Sequence, residues 1–121
     1  MYKENFRPSS ASLEDNLKKA LTELLILHLL SQRDYFIGEL SETLKHKSGG
    51  VLKLVFPYSA IYRLQQIGYI TNGDKRIAHD GRKRQFFSIS PQGQSYYKEL
   101  LETYQRFISG VNTVLTDNDQ E

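Results

Sequence analysis

The 121-residue chain contains no cysteine, no tryptophan, one methionine and three prolines. Without cysteine it can have no disulfide framework, no thiol nucleophile and no cysteine-ligated zinc. Its longest apolar run extends only from Leu24 to Leu30 and includes His28, which is far short of the roughly 20 residues of a membrane span. The first residues lack the apolar core of a secretory signal. We therefore expect a cytoplasmic protein that makes no contact with a membrane.

Residues that would indicate catalysis are also missing. His28, His46 and His79 do not have the spacing of metal ligands. The Gly49-Gly50 pair is not followed by the lysine and hydroxyl residue of a phosphate-binding loop. The sequence thus predicts no enzyme, no catalytic residues, no cofactor and no metal.

Charge is distributed unevenly along the chain, although the net charge is only +2. Residues 45–84 contain 9 basic and 2 acidic residues, which leaves 7 basic and 12 acidic residues in the rest of the chain. A basic middle between acidic ends is typical of a domain with one face directed at a polyanion. The alternative is that surface loops have collected solvated charges.

Hydrophobic periodicity and turn residues predict four helices and a hairpin. The first helix covers residues 13–30 and begins with a capping box formed by Ser12 and Asp15. The others are a helix over 35–47, a third from Pro57 to Gly68, a hairpin of residues 69–77 and 83–90, and a long helix that begins at Pro91 with Ser90 as its cap.

The last helix has a heptad seam, since its apolar residues alternate at spacings of 4 and 3. A helix of about 25 residues is about 37 Å long, and the rest of a small domain cannot cover it. We therefore predict a homodimer through the first and last helices, the alternative being a helix that packs only within its own chain. The predicted interface residues are Leu17, Leu21, Leu24, Tyr97, Leu101, Tyr104, Ile108, Val111 and Leu115.

The order of elements predicts a mainly α fold with a small β-hairpin wing, that is, a winged helix-turn-helix with a long C-terminal dimerisation helix. Residues 1–11 would form a flexible arm, 12–90 the DNA-binding domain, 91–115 the dimerisation helix and 116–121 a disordered tail. The outward face of the third helix suits a major groove, and the basic wing suits phosphates. The candidate DNA-binding residues are Tyr58, Ser59, Tyr62, Arg63, Lys75, Arg76, His79, Arg82, Lys83 and Arg84.

Four stretches of the chain resemble the PadR family of transcriptional regulators. They are LLILHLL at 24–30, YFIGEL at 35–40, YSAIYRLQQIGYI at 58–70 and GRKRQFFSISPQG at 81–93. The resemblance implies a dimeric repressor whose third helix and wing bind operator DNA, with Tyr58, Arg63 and the Gly81–Arg84 motif as contacts. The chain departs from the family pattern at Pro57, which precedes Tyr58 where the family usually has a proline just after the tyrosine. The chain also departs from the family pattern at Glu39, Gln65 and the Phe86-Phe87 pair.

Two functions of different classes agree with these patterns. The first is a homodimeric, nucleoid-associated repressor that binds a pseudo-palindromic operator in double-stranded DNA, with half-sites about 10 bp or a multiple apart. A small hydrophobic effector between the first and last helices would release it.

The second is a winged-helix module that binds an acidic protein. In both, His28 is predicted to be a satisfied core or interface histidine, and Lys3 and Arg7 belong to a frayed terminus or to an arm that touches DNA.

Overall fold

A computed structural model of the chain describes residues 9–53 and 57–118. In these residues it has four helices and three strands, and it confirms the predicted mainly α fold with a small β wing. The elements are α1 (Ser10–Leu30), β1 (Tyr35–Phe36), α2 (Ile37–Lys47), α3 (Pro57–Gln66), β2 (Ile70–Ile77), β3 (Lys83–Ile89) and α4 (Pro91–Thr116). Lys3 and Arg7 lie outside the described residues. None of the described helices is long and apolar enough to cross a membrane.

The start of α1 differs from the prediction. The helix begins at Ser10, and the Ser9 hydroxyl accepts the Ser12 backbone N–H at 3.1 Å. The predicted Ser12–Asp15 capping box is therefore wrong, and the last two residues assigned to the arm are helical. The apolar periodicity starts only at Leu13, so the preceding turn of helix carries no apolar signal.

The predicted second helix is also too long at its N-terminal end. Tyr35 and Phe36 form a short strand that pairs with Phe87 and Phe86 of β3, and both strand side chains are buried. The sheet therefore has the order β1-β3-β2. A two-residue strand is too short to show the alternation that identifies strands in a sequence.

The predicted hairpin is present as β2 and β3. Its turn is closed by the Ala78 N–H, which donates to the Arg82 carbonyl at 2.8 Å. Gly81 has a φ of 83°, the left-handed conformation that glycine adopts without steric cost. Residues 78–82 thus form the tip of a protruding wing.

The main core lies between the first three helices and the sheet. Ile26, Leu40, Leu64 and Ile70 come from α1, α2, α3 and β2, and all are fully buried. Burial of each such side chain contributes about 1.5–3 kcal/mol. This core holds α3 and the base of the wing in one arrangement.

Ser90 joins α4 to the winged domain. Its hydroxyl accepts the Gly93 N–H at 3.0 Å and donates to the Gly68 carbonyl at 2.6 Å, which confirms it as the cap of α4. The C-terminal half of α4 extends away from the domain. There Phe107, Val114 and Leu115 are 69–75% exposed.

Candidate nucleic-acid interface

The outer face of α3 presents hydroxyl groups. Ala60, Ile61 and Leu64 point into the core, whereas Tyr58 and Tyr62 are 69% and 64% exposed. Ser59 is exposed beside them. Because the buried side chains secure one side of this short helix, the other side is left available to a partner.

Arg63 is directed at α1 instead. Its Nε donates to Glu23 Oε2 at 2.7 Å, and the Tyr96 hydroxyl of α4 donates to the other Glu23 oxygen at 3.3 Å. Burial, reinforced by the Glu23 charge, raises the pKa of Tyr96. Glu23 thus balances the charge of Arg63 and links α3 to α1 and α4, and the role of Arg63 in DNA binding stays a prediction.

The register of β2 and β3 sorts the wing residues onto two faces, since cross-strand partners share a face of the sheet. One face, which we name the α3-facing wing face, contains the pairs Asn72–Phe87, Lys75–Gln85 and Ile77–Lys83. Its direction is set by α3, because Gln65 Nε2 donates to Asn72 Oδ1 at 2.6 Å. The opposite face contains the Arg76–Arg84 pair.

On that opposite face Arg76 is held within the chain. Its guanidinium lies 3.9 Å from the centre of the Phe86 ring and 3.5 Å from Asp34 Oδ2. Phe86 packs with Phe36 and Ala78 in a small cluster of buried residues. Arg76 therefore covers this cluster and has an acidic neighbour.

Arg84 is held in a similar way by the turn of the wing. It donates two hydrogen bonds to Asp80 Oδ2, at 2.7 and 3.2 Å, and the second Asp80 oxygen accepts the Arg82 backbone N–H at 3.0 Å. The Arg84 hydrogen bonds, followed by the Arg82 N–H, lower the pKa of Asp80. Part of the predicted cationic tip is thus neutralised by the chain itself.

Replacing Arg84 by alanine is expected to raise the pKa of Asp80, because the largest cause of its lowering is removed. The shift in the pKa of Asp80 also determines how the stability of the folded protein depends on pH. A lowered folded-state pKa gives stability that is fully present above the ordinary carboxyl pKa of about 4 and is lost as the pH falls through the folded value. NMR titration of the Asp80 carboxyl carbon measures the change.

Arg82→Ala is the matched control, since it keeps the backbone N–H that Asp80 accepts. The Asp80 pKa should stay close to that of the wild type in this variant. An Asp80 pKa that is equal in Arg84→Ala and in the wild type would show that the pair does not form in solution.

Three wing cations have no ion pair among the residues that the structure describes. Lys75 and Lys83 lie on the α3-facing wing face, and Arg82 lies in the turn; all three are exposed. His79 is also exposed at the turn, with its ring 6.0 Å from that of Phe36. The basic wing residues that were expected to act together therefore fall into two groups. Arg76 and Arg84 form ion pairs on the opposite face, whereas Lys75, Arg82 and Lys83 form none among the described residues and lie on or beside the face turned to α3.

A recess of about 360 Å³ separates α3 from the wing. Tyr58 lines it from α3, and Arg84, Gln85 and Phe87 line it from β3. Sequence reasoning missed Gln85, although strand alternation places it on the same face as Lys83. The recess brings one exposed hydroxyl of α3 next to the α3-facing wing face.

The predicted dimer residues differ in how much surface they retain. Leu24 is only 8% exposed, so it has little area to offer a second chain, whereas Leu17 is 48% exposed. In α4, the first part of the seam is half-buried, and Val111 and Leu115 are exposed. The unoccupied apolar surface is thus concentrated at the start of α1 and the end of α4.

His28 is exposed rather than part of the core. Its Nδ1 lies 2.6 Å from the Tyr97 hydroxyl of α4. Of the two predicted positions, the core is therefore wrong, because the ring is on the side of α1 turned to α4; a position in a dimer interface stays a prediction. The contact joins the two helices that were predicted to form the dimer.

Solved structures with this fold cover most of the chain, whereas neither a family model nor a curated protein matches the sequence. A transcriptional regulator from Clostridium thermocellum is 25% identical, with a TM-score of 0.70 over 88% of this chain and 97% of that one. A PadR-like transcriptional regulator from Bacillus cereus is 22% identical, with a TM-score of 0.73 over 85% and 99% of the two chains. A PadR family regulator from Eggerthella lenta is 16% identical, with a TM-score of 0.73 over 89% and 93%.

The resemblance to PadR-like regulators is thereby confirmed for the fold. These neighbours are described as transcriptional regulators, in agreement with the prediction of a regulator rather than an enzyme.

Proposed function

We propose that this protein is a sequence-specific DNA-binding transcriptional regulator that acts as a homodimeric repressor. One observation carries the proposal. Lys75 and Lys83, which form no ion pair with any residue that the structure describes, lie on the wing face turned to α3, and the outer side of α3 presents exposed hydroxyl groups. Positive charge and hydrogen-bonding groups therefore face one ligand, and a DNA duplex requires both.

The two elements would have different tasks on DNA. A major groove about 12 Å wide admits one helix, so α3 would enter it and bring Tyr58, Ser59 and Tyr62 to base edges or phosphates. The wing would bind the neighbouring phosphates through Lys75, Lys83 and the Arg82 side chain of the turn. Phosphate contacts of this kind position a protein on DNA, whereas base contacts determine the sequence that it selects.

A second copy would complete the binding unit. Residues 12–90 would bind DNA, and residues 91–115 would dimerise through the exposed seam of α4 together with Leu17 and Leu21. A two-fold dimer would read a pseudo-palindromic operator with half-sites about 10 bp, or a multiple of it, apart. The protein would then be found with the nucleoid.

A groove between α1 and α4 supports the proposal of an effector. A groove of about 310 Å³ lies there, lined on its apolar walls by Leu21, Leu24, Leu100 and Phe107. We propose that a small hydrophobic effector in this groove releases the repressor. The same groove includes Glu23, the partner of Arg63, which gives an occupant a direct contact with the network that holds α3.

The test is selection of duplexes from a random pool, followed by affinity measurements over a range of salt. Two wings with three cations each predict a slope of log K against log salt of about −5. Footprinting should show protected half-sites related by two-fold symmetry. No selected sequence, together with retained binding of an acidic protein, would overturn the proposal and favour the protein-interaction module.

Replacing Val111 and Leu115 by glutamate should convert the dimer to a monomer, because it places four carboxylates in one apolar interface. Sedimentation velocity at micromolar concentration measures the mass. Ile67→Glu is the control, since Ile67 is 56% exposed but lies between α3 and β2, and it should leave the dimer intact. A wild-type protein that sediments as a monomer would refute the predicted interface.

A further inference from the structure

The first half of β2 contains the one Asn-Gly pair of the sequence, Asn72-Gly73. The side-chain amide of an asparagine can be attacked by the backbone nitrogen of the next residue, and a glycine in that position leaves the approach open because it has no side chain. Asn72 is exposed and Gly73 is half-buried, so neither is shielded by the core. Water therefore reaches this pair in the folded protein.

The strand is irregular at the same point. The register shifts between Asn72 and Lys75, so that Gly73 and Asp74 have no partner in the pairing of β2 with β3. The Gly73 carbonyl is bonded by a side chain instead, since Gln85 Nε2 donates to it at 2.9 Å. A β-bulge of this kind interrupts the ladder that otherwise holds a strand in place. The attacking nitrogen of Gly73 thus lies where the ladder of β2 is broken.

The contact with α3 polarises the Asn72 amide. Gln65 Nε2 donates to Asn72 Oδ1 at 2.6 Å, whereas the Asn72 amide nitrogen forms no hydrogen bond with any residue that the structure describes. Attack on the amide carbon places negative charge on Oδ1, and a donor directed at that oxygen stabilises the charge. The oxygen that becomes negative is therefore bonded, and the nitrogen that has to leave is not.

We propose that Asn72 is a site of spontaneous deamidation. The Gly73 backbone nitrogen forms a bond with the Asn72 amide carbon and loses its proton, the bond from that carbon to the amide nitrogen breaks, and ammonia leaves with the proton. Water then opens the cyclic succinimide at either carbonyl, which gives aspartate or, with one additional carbon in the backbone, isoaspartate. One water is consumed and one ammonia is released, and the reaction requires no oxidant and no enzyme.

The product would change the candidate interface, and this consequence rests on the proposed function. Position 72 lies on the α3-facing wing face together with Lys75 and Lys83. A carboxylate there repels the phosphates that the two lysines would bind. Isoaspartate also lengthens the backbone of β2 between α3 and the wing tip. The regulator would thus lose affinity for DNA as each molecule ages, without an effector.

The experiment incubates the full chain in mildly alkaline buffer and follows the tryptic peptide of residues 64–75, in which Asn72 is the one asparagine. Mass spectrometry detects the exchange of the amide for a carboxyl group, and electron-transfer fragmentation distinguishes isoaspartate from aspartate. Asn16 and Asn112 are internal references, because both lie inside helices and precede residues with side chains. Asn72 should react at least about tenfold faster than either. Equal rates at the three positions would overturn the site.

Gln65→Met tests the role of the hydrogen bond from α3, since it removes the donor and nearly keeps the length of the side chain. It should slow the modification of Asn72 by about threefold or more. A faster reaction would show that the hydrogen bond restrains the amide instead of activating it. Thermal unfolding verifies that this variant is folded.

Binding of a duplex selected by the freshly purified protein measures the consequence. Aged wild type should bind about tenfold more weakly than fresh wild type. Asn72→Gln, whose longer side chain closes the ring far less readily, should bind equally before and after the same incubation. Fresh Asn72→Asp should bind more weakly than fresh wild type, because it already has the carboxylate.

The negative results are distinguishable. If Asn72 is modified and the affinity does not change, the modification site stands and its effect on DNA binding is wrong. If the fresh wild type binds no duplex, the proposed function fails, whereas the rates at Asn72, Asn16 and Asn112 still decide whether the site exists.

Discussion

Replacing Lys75, Arg82 and Lys83 together by alanine is expected to weaken binding of a selected duplex by more than about a hundredfold near physiological salt. Each phosphate contact that is lost also reduces the salt slope by about 1 per site, so a dimer that loses six contacts should lose most of its salt dependence. The three side chains are exposed, and the variant should unfold at nearly the wild-type temperature. Fluorescence anisotropy at several salt concentrations measures both quantities.

Arg76→Ala/Arg84→Ala is the control that tests the division of the wing into two faces. It removes two positive charges that lie beside Asp34 and Asp80 on the opposite face. We expect its salt slope to stay near that of the wild type and its unfolding temperature to fall, because the arginines cover the Phe36–Phe86 cluster. The division would be contradicted if this variant lost as much salt slope per removed charge as the triple variant. That result would mean that Arg76 and Arg84 leave their carboxylate partners and bind phosphates when the protein binds DNA.

Gly93→Ala is expected to destabilise the protein by about 3 kcal/mol or more, although it adds a single methyl group. A Cβ at this position would lie 2.2 Å from the Tyr69 carbonyl oxygen and 2.8 Å from Ile89 Cγ1. The oxygen belongs to backbone that is itself fixed, since it accepts the Ser90 N–H at 3.0 Å. Relief of the clash therefore requires α4 to move away from the winged domain. Chemical denaturation measures the free energy of unfolding.

Gly110→Ala is the matched substitution in the same helix. Apart from the neighbouring residues and the backbone of α4 itself, no atom of the described residues lies within 4 Å of the added Cβ at this position, and alanine is preferred to glycine inside a helix by about 1 kcal/mol. Gly110→Ala should thus be neutral or stabilising. Equal effects of the two substitutions would show that helix propensity, and not the contact with Tyr69, determines the result.

Local sequence patterns were sufficient for the elements that contain their own signals. Pro57 at the first position of α3, Ser90 before Pro91, and Gly81 in the turn each satisfy a backbone requirement within a few residues. The helices and the hairpin that follow from them are confirmed. Patterns of this kind failed at β1, because Tyr35 and Phe36 are extended only through pairing with residues that lie about fifty positions further along the chain.

The candidate interface was less predictable than the fold. All the arginines of the third helix and the wing look equivalent in the sequence, and nothing near Arg63 indicates that Glu23, 40 residues earlier, accepts its hydrogen bond. Asp80 is closer to the wing arginines in the sequence, but whether it pairs with Arg84 depends on the conformation of the turn. An ion pair requires two charges a few ångströms apart, and the chain order does not contain that distance.

The sequence by itself determined the basic middle of the chain, the order of helices and hairpin, and the apolar seam of α4, because composition and short-range periodicity are properties of neighbouring residues. Only the tertiary structure decided which cations are free. The contact between Gln65 and Asn72 orients the wing, and the strand register then places Lys75 and Lys83 on the face turned to α3 and the Arg76–Arg84 pair on the opposite face, where Asp34 and Asp80 pair with the two arginines. That selection is made by packing between distant segments, since a charge is available to a ligand only where the fold has brought no carboxylate to it.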